Sequence, residues 1–85
     1  MSLPILEARV LKVVRLVQGQ IPTHQHEYMQ ELCQAGEPGV ALELFATQLH
    51  EYDVKVEPGV IDEIESLGRE MGLDSKYWTR LRGQL

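Results

Sequence analysis

The sequence predicts an all-α fold: a compact bundle of four to five short helices forming one domain over residues 1–85. Three observations lead there. Apolar residues recur at helical spacing almost from end to end. Proline and glycine fall where helices start and stop. The one stretch with strand-like alternation, Asp53-Val54-Lys55-Val56, is too short to build a sheet and reads as an extended connector. Eighty-five residues supply one core and not two. An apolar fraction of 44% and a charged fraction of 25% are those of an ordinary globular chain. With only 6% aromatic residues, aliphatic side chains must fill most of that core.

The first helix carries Leu3, Leu6, Val10, Val13, Val14 and Val17 on one stripe. Pro4 sits near its start, where a missing N–H costs nothing, and Gly19 and Pro22 close it. Ile5 and Leu16 lie almost opposite the stripe, so another helix of this chain or a second subunit is expected to cover them. The second helix should begin at Thr23 as N-cap, turn Tyr28, Met29, Leu32 and Cys33 inward, and end at Gly36. The third and fourth share a start signal: Glu37-Pro38-Gly39-Val40 and Glu57-Pro58-Gly59-Val60, with proline at the first helical position and an acid at the positive end of the helix dipole. Two uses of one start signal do not make a repeat architecture. The third helix, about 38–52, is expected to bury Ala41, Leu44, Phe45, Gln48 or Leu49, and Tyr52, with Glu43, Thr47, His50 and Glu51 along the opposite edge. The fourth, about 58–71, buries Ile61, Ile64, Leu67 and Met71 and turns Asp62, Glu63, Glu65 and Glu70 to water. Glu65 and Arg69 stand in the favourable i,i+4 order. Gly72 stops this helix with Leu73 folding back, and Asp74 caps a last short helix with Tyr77, Trp78, Leu81 and Leu85 inward.

Charge is strongly segregated. Between Leu16 and Gly68 ten acidic side chains face one base, Lys55, which leaves that segment at −9 within a chain of net charge −5. Both ends are basic: Arg9, Lys12 and Arg15 at one, Arg69, Lys76, Arg80 and Arg82 at the other. Such a field repels polyanions, so nucleic acid is a poor direct ligand. It attracts a basic protein surface. The plainer reading is that the acids keep a small protein dispersed.

Little chemistry beyond binding is expected. His24 and His26 flank Gln25, and i,i+2 positions on a helix diverge, so a metal site is not expected and the histidines read as solvated residues near a helix start. Cys33, the only cysteine, permits no internal disulfide and reads as a buried, inert thiol. There is no glycine-rich phosphate loop and no nucleophile–base arrangement, so neither enzyme activity nor a cofactor is expected. Met1-Ser2-Leu3-Pro4 has no basic segment followed by an apolar run, and no apolar run reaches membrane-spanning length. A reducing cytoplasm without membrane contact is the expected location. Tyr52, between Glu51 and Asp53, has two readings: a ring that completes the core, or an aromatic anchor within an acidic rim, a common form of interface hot spot.

The phrase Glu31-Leu32-Cys33-Gln34-Ala35-Gly36-Glu37-Pro38-Gly39-Val40-Ala41-Leu42-Glu43-Leu44, followed by Gln48-Leu49 and Glu51-Tyr52-Asp53-Val54, resembles the MafI-type immunity proteins. Met71-Gly72-Leu73-Asp74 with Tyr77-Trp78 and Leu81 fits the same pattern. The likeness covers about residues 31–81 and is most specific from Gly36 through Asp53. It departs where the family commonly has a Cys-Asp pair and this chain has Ala46-Thr47, and where an aromatic gives way to His50. The resemblance implies a small bacterial protein that neutralises a cognate toxin of a contact-dependent growth inhibition system or a related one. Such toxins are frequently nucleases, whose basic surfaces an acidic inhibitor can match. The partner-facing residues expected on that basis are Glu43, Thr47, His50, Glu51, Tyr52 and Asp53, adjoined by Glu57, Asp62, Glu63 and Glu65. The rival reading is a helical scaffolding module, with a homodimer through the first helix motivated by Ile5 and Leu16.

Overall fold

The computed structural model describes residues 4–85, so the place assigned to Leu3 lies outside it. Five helices follow in order: α1 (Ile5–Arg15), α2 (Thr23–Gln34), α3 (Pro38–Glu51), α4 (Pro58–Glu70) and α5 (Lys76–Arg82). Among the described residues there is no strand, and none of their helices is long and apolar enough to cross a membrane. α3 packs against all four other helices, while α1 and α2, α1 and α4, and α4 and α5 pack pairwise around it.

This central position explains the burial along α3. Ala41, Leu42, Phe45, Ala46, Gln48 and Leu49 are all buried, a wider arc than one apolar stripe supplies. Ala46 and Leu42 enter the core because neighbours approach α3 from both sides. Leu44, expected inside, is only half-buried. Tyr52 is not a core residue: it follows the last helical turn and is 52% exposed.

Three helix ends use one device. At Gly36, Gly72 and Asp53 the chain turns into the left-handed region, with φ of 80°, 69° and 49°. In each case the next amide reaches back five residues: Glu37 N to Leu32 O, Leu73 N to Gly68 O, and Val54 N to Leu49 O, at 2.8, 2.8 and 3.0 Å. This pattern satisfies carbonyls that the helix end would otherwise orphan. Helix starts are simpler. Pro38 and Pro58 occupy the first turn, as the shared signal predicts. Thr23 does not cap α2; it lies within the helix, and Pro22 precedes it. At α5 the Asp74 carboxylate accepts from Lys76 N at 2.9 Å and so performs the cap.

Three other residues, His26, Tyr28 and Leu85, depart from expectation. His26 is buried and its Nε2 has no partner among the described residues, whereas it reads as solvated in the sequence. It shares an inward arc with Met29 and Cys33, at i, i+3 and i+7. That arc turns Tyr28 outward, to 51% exposure. Glu7 is buried beside α2, and Leu85 is exposed past the end of α5. The Cys33 thiol is buried as expected. Its pKa is pushed up to about 11, first by desolvation and then by the Glu7 charge, which leaves it a poor nucleophile. Ile5 and Leu16 remain 78% and 61% exposed, so none of the described helices covers them.

The α4–α5 contact depends on one missing side chain. Gly68 and Trp78 are both buried, and a Cβ at Gly68 would stand 2.3 Å from the Trp78 ring. The indole lies on the α4 backbone, with the Arg69 guanidinium 5.7 Å from its centroid. In an ordinary helix, replacing glycine with alanine stabilises by about 1 kcal/mol. Here the sign reverses. Gly68→Ala must displace a rigid buried ring, so urea denaturation should show a loss of about 1–3 kcal/mol. A variant as stable as the wild type would mean that Trp78 is not held against this backbone.

Candidate protein-docking surface

The acids expected to face a partner divide into two groups with different jobs. On α4, Glu63 accepts from Arg9 Nε and Nη2 at 3.1 and 3.0 Å, and Glu70 takes the other Nη of the same guanidinium. Asp62 and Glu65 both accept from Arg82 Nη2, at 2.9 and 2.7 Å, and Glu65 also accepts from Arg69 Nε at 3.0 Å. Arg9 belongs to α1 and Arg82 to α5. The α4 carboxylates therefore hold the two terminal helices against the helix that runs between them. Glu63 and Glu65 are half-buried rather than turned to water. Bonds from Arg82 and then Arg69 hold the Glu65 carboxyl below its ordinary range.

The second group lies on α3 and its exit. Glu43, Thr47, His50 and Glu51 do fall on the free face of α3, together with Val40, which is 45% exposed, and the half-buried Leu44. The α5 side of this face is already engaged. Burial and then the Glu43 charge raise the pKa of the Tyr77 hydroxyl, and His50 Nδ1 donates to the Gln84 side-chain oxygen. Past the helix the chain alternates: Val54 and Val56 are buried while Asp53, Lys55 and Glu57 are exposed. The two valines anchor the connector and raise an outward ridge of Glu51, Tyr52, Asp53 and Glu57. Lys55 is the one cation on it, 4.0 Å from Asp53 and donating to Gln84 O at 3.3 Å.

Glu51 and Glu57 make no ion pair within the described residues. Tyr52 stands between Glu51 and Asp53 with half its surface in water, so its ring does not complete the core. The same combination recurs on the outer face of α2, where the exposed Tyr28 lies among the exposed Glu27 and Glu31. Sequence reasoning turned Tyr28 inward. The signal that could have corrected it is the i, i+3, i+4, i+7 run His24, Glu27, Tyr28, Glu31, a polar face with one aromatic on it.

No three His, Cys, Asp or Glu side chains among the described residues come close enough together to hold a metal ion. A groove lined by Arg9, Lys12, Val13, Leu16 and Glu63 lies away from the α3 exit. Comparison with known protein families, curated proteins and solved structures finds no match.

The α4 ion pairs carry a pH signature. A carboxyl held low in the folded state stabilises the fold above its unfolded pKa and loses that contribution as pH falls through the depressed value. Melting temperature should therefore fall on acidification, and Arg82→Ala should flatten that dependence by removing the main partner of Glu65. Identical acid profiles for variant and wild type would show that the bridge does not operate in solution.

Proposed function

We propose that this chain is a non-catalytic immunity protein that binds and neutralises a basic bacterial toxin, of nuclease type, in the cytoplasm. The docking surface is the exit of α3: Glu51, Tyr52, Asp53 and Glu57, with Thr47 and Val40 behind them on the helix. The resemblance to MafI-type immunity proteins and the local charge of −9 support this reading. Asp62, Glu63 and Glu65 serve the fold first, and their contribution to a partner is confined to long-range field.

The observation that carries the proposal is the backbone of Asp53. At the two other helix ends built in the same way, glycine occupies the left-handed position. Glycine adopts that conformation at no steric cost, and a residue with a side chain does not. Keeping an aspartate there forgoes stability. What it gains is a carboxylate fixed beside an exposed tyrosine and next to Glu51, in a geometry that needs little ordering on binding. In the complex, the Tyr52 ring desolvates against the toxin, and the flanking carboxylates meet the cations that would hold substrate phosphates.

The partner for the test is the basic toxin domain that this reading expects to be encoded beside the chain. Asp53→Gly should stabilise the free protein by up to about 1 kcal/mol while the complex dissociates faster. Tyr52→Ala should weaken binding by about 2 kcal/mol. Glu51→Lys with Glu57→Lys should slow association about tenfold at low salt. Asp62→Lys should instead loosen the α4–α5 edge, slow association less than the ridge reversals do, and leave the dissociation rate nearly unchanged. If the first three variants protect cells and bind as the wild type does, the α3 exit is not the docking surface.

A further inference from the structure

We propose that the chain pairs with a second copy of itself through antiparallel α1 helices. Ile5, Arg9, Lys12 and Leu16 fall at i, i+4, i+7 and i+11, a single stripe along one side of α1. Leu16 keeps helical backbone angles just past the last turn, so the stripe is continuous. Its two ends are apolar and exposed, at 78% for Ile5 and 61% for Leu16. Its order reads the same in either direction: apolar, basic, basic, apolar. A twofold axis across α1 between Val10 and Leu11 sets Ile5 against Leu16 of the second copy and Arg9 against its Lys12. A surface that matches itself under a twofold axis is what an isologous dimer requires.

The groove supplies the socket. It has a volume of about 310 Å³ and is lined by Arg9, Lys12, Val13, Leu16 and Glu63. Its apolar wall is Val13 and Leu16, at the end of α1 that the twofold axis presents to Ile5 of the second copy. Ile5 is the most exposed large apolar side chain among the described residues. Burying it in this groove satisfies both sides at once.

Charge does not oppose the contact. Arg9 already bonds Glu63 and Glu70, and Glu63 lines the groove beside Lys12. Lys12 of the second copy therefore arrives at a carboxylate and not at a bare guanidinium. Two cations and two carboxylates per copy leave the contact without net charge, on a chain whose total is −5. This surface is separate from the acidic ridge, and either can exist without the other.

Ile5→Cys and Leu16→Cys, made singly in the full chain, test the arrangement, because the native Cys33 is buried and does not compete. Like positions in the antiparallel pair stand about 16 Å apart along the helix, beyond disulfide reach. Oxidising a mixture of the two variants should link one to the other, and oxidising either alone should not. Sedimentation of the wild type should show dimer at about 100 µM, and Ile5→Asp with Leu16→Asp should raise the dissociation constant at least tenfold. Equal linkage in single-variant solutions, or a wild type that is monomeric at about 1 mM, overturns the proposal. So does a monomer whose groove binds an acidic amphipathic peptide instead.

Discussion

Five short helices can share one core only if one of them is surrounded, and α3 is that helix. Each of the others has one neighbour-facing side and one free side, while α3 has neighbours on most of its circumference. Phe45, Ala41, Leu49 and Leu42 have 1% of their surface exposed or less. A small domain buries a modest fraction of its chain, so a helix buried this fully supplies a disproportionate share of the stability. The consequence for function is spatial. The surface that α3 can offer is one narrow strip and the turn at its end, and the residues on them are held by the helix that packs against all the others.

The segregated charge of the sequence answers two demands at once. Bases gather at the chain ends because α1 and α5 lie on either side of α4 and reach across to it through Arg9 and Arg82. Acids gather in the middle partly because α4 must receive them. These are exposed or half-exposed pairs, and each contributes little alone. Each guanidinium holds two carboxylates, however, so the α4 edge is cross-linked at both sides. The acids left over, Glu27, Glu31 and Glu37 on the α2 side and Glu51 and Glu57 at the α3 exit, have no cation among the described residues. They carry the part of the field that a partner would meet.

The helices were legible because their signals are local. Period 3.6, Pro at a helix start and Gly past a helix end locate α2, α3 and α4 to within a residue or two, whereas α5 stops at Arg82, short of the Leu85 expected to pack inward. Which side of a helix faces inward was less legible, because that depends on how many neighbours arrive. Tyr28 and His26 differ by two positions, and a modest rotation of the buried arc of α2 exchanges them. The burial of Ala46 and Leu42 follows from the hub position of α3, which no local pattern encodes. The candidate surface was half legible. Glu51, Tyr52 and Asp53 could be read from adjacency, whereas the pairing of Asp62 and Glu65 with Arg82 spans 20 and 17 residues and needs the fold. The left-handed turn at Asp53 could have been suspected from its place after a helix, but aspartate gives a weaker signal than glycine.

The two proposed surfaces differ in the physics that would drive them, and salt separates the two. Association at the acidic ridge relies on an unpaired field, and its rate falls as ions screen that field. Pairing through α1 relies on Ile5 and Leu16 leaving water, with the charges at its centre balanced inside each copy. Two copies of a chain with net charge −5 repel at long range, and screening removes that repulsion without touching the apolar contact. Raising salt from about 50 mM to about 500 mM, across which the Debye length falls several-fold, should therefore slow toxin association and strengthen self-pairing. Stopped-flow mixing for the first and sedimentation for the second would read both on one preparation. Parallel weakening of the two would place the self-contact on the charged side chains, and the apolar ends of the α1 stripe would then be bystanders.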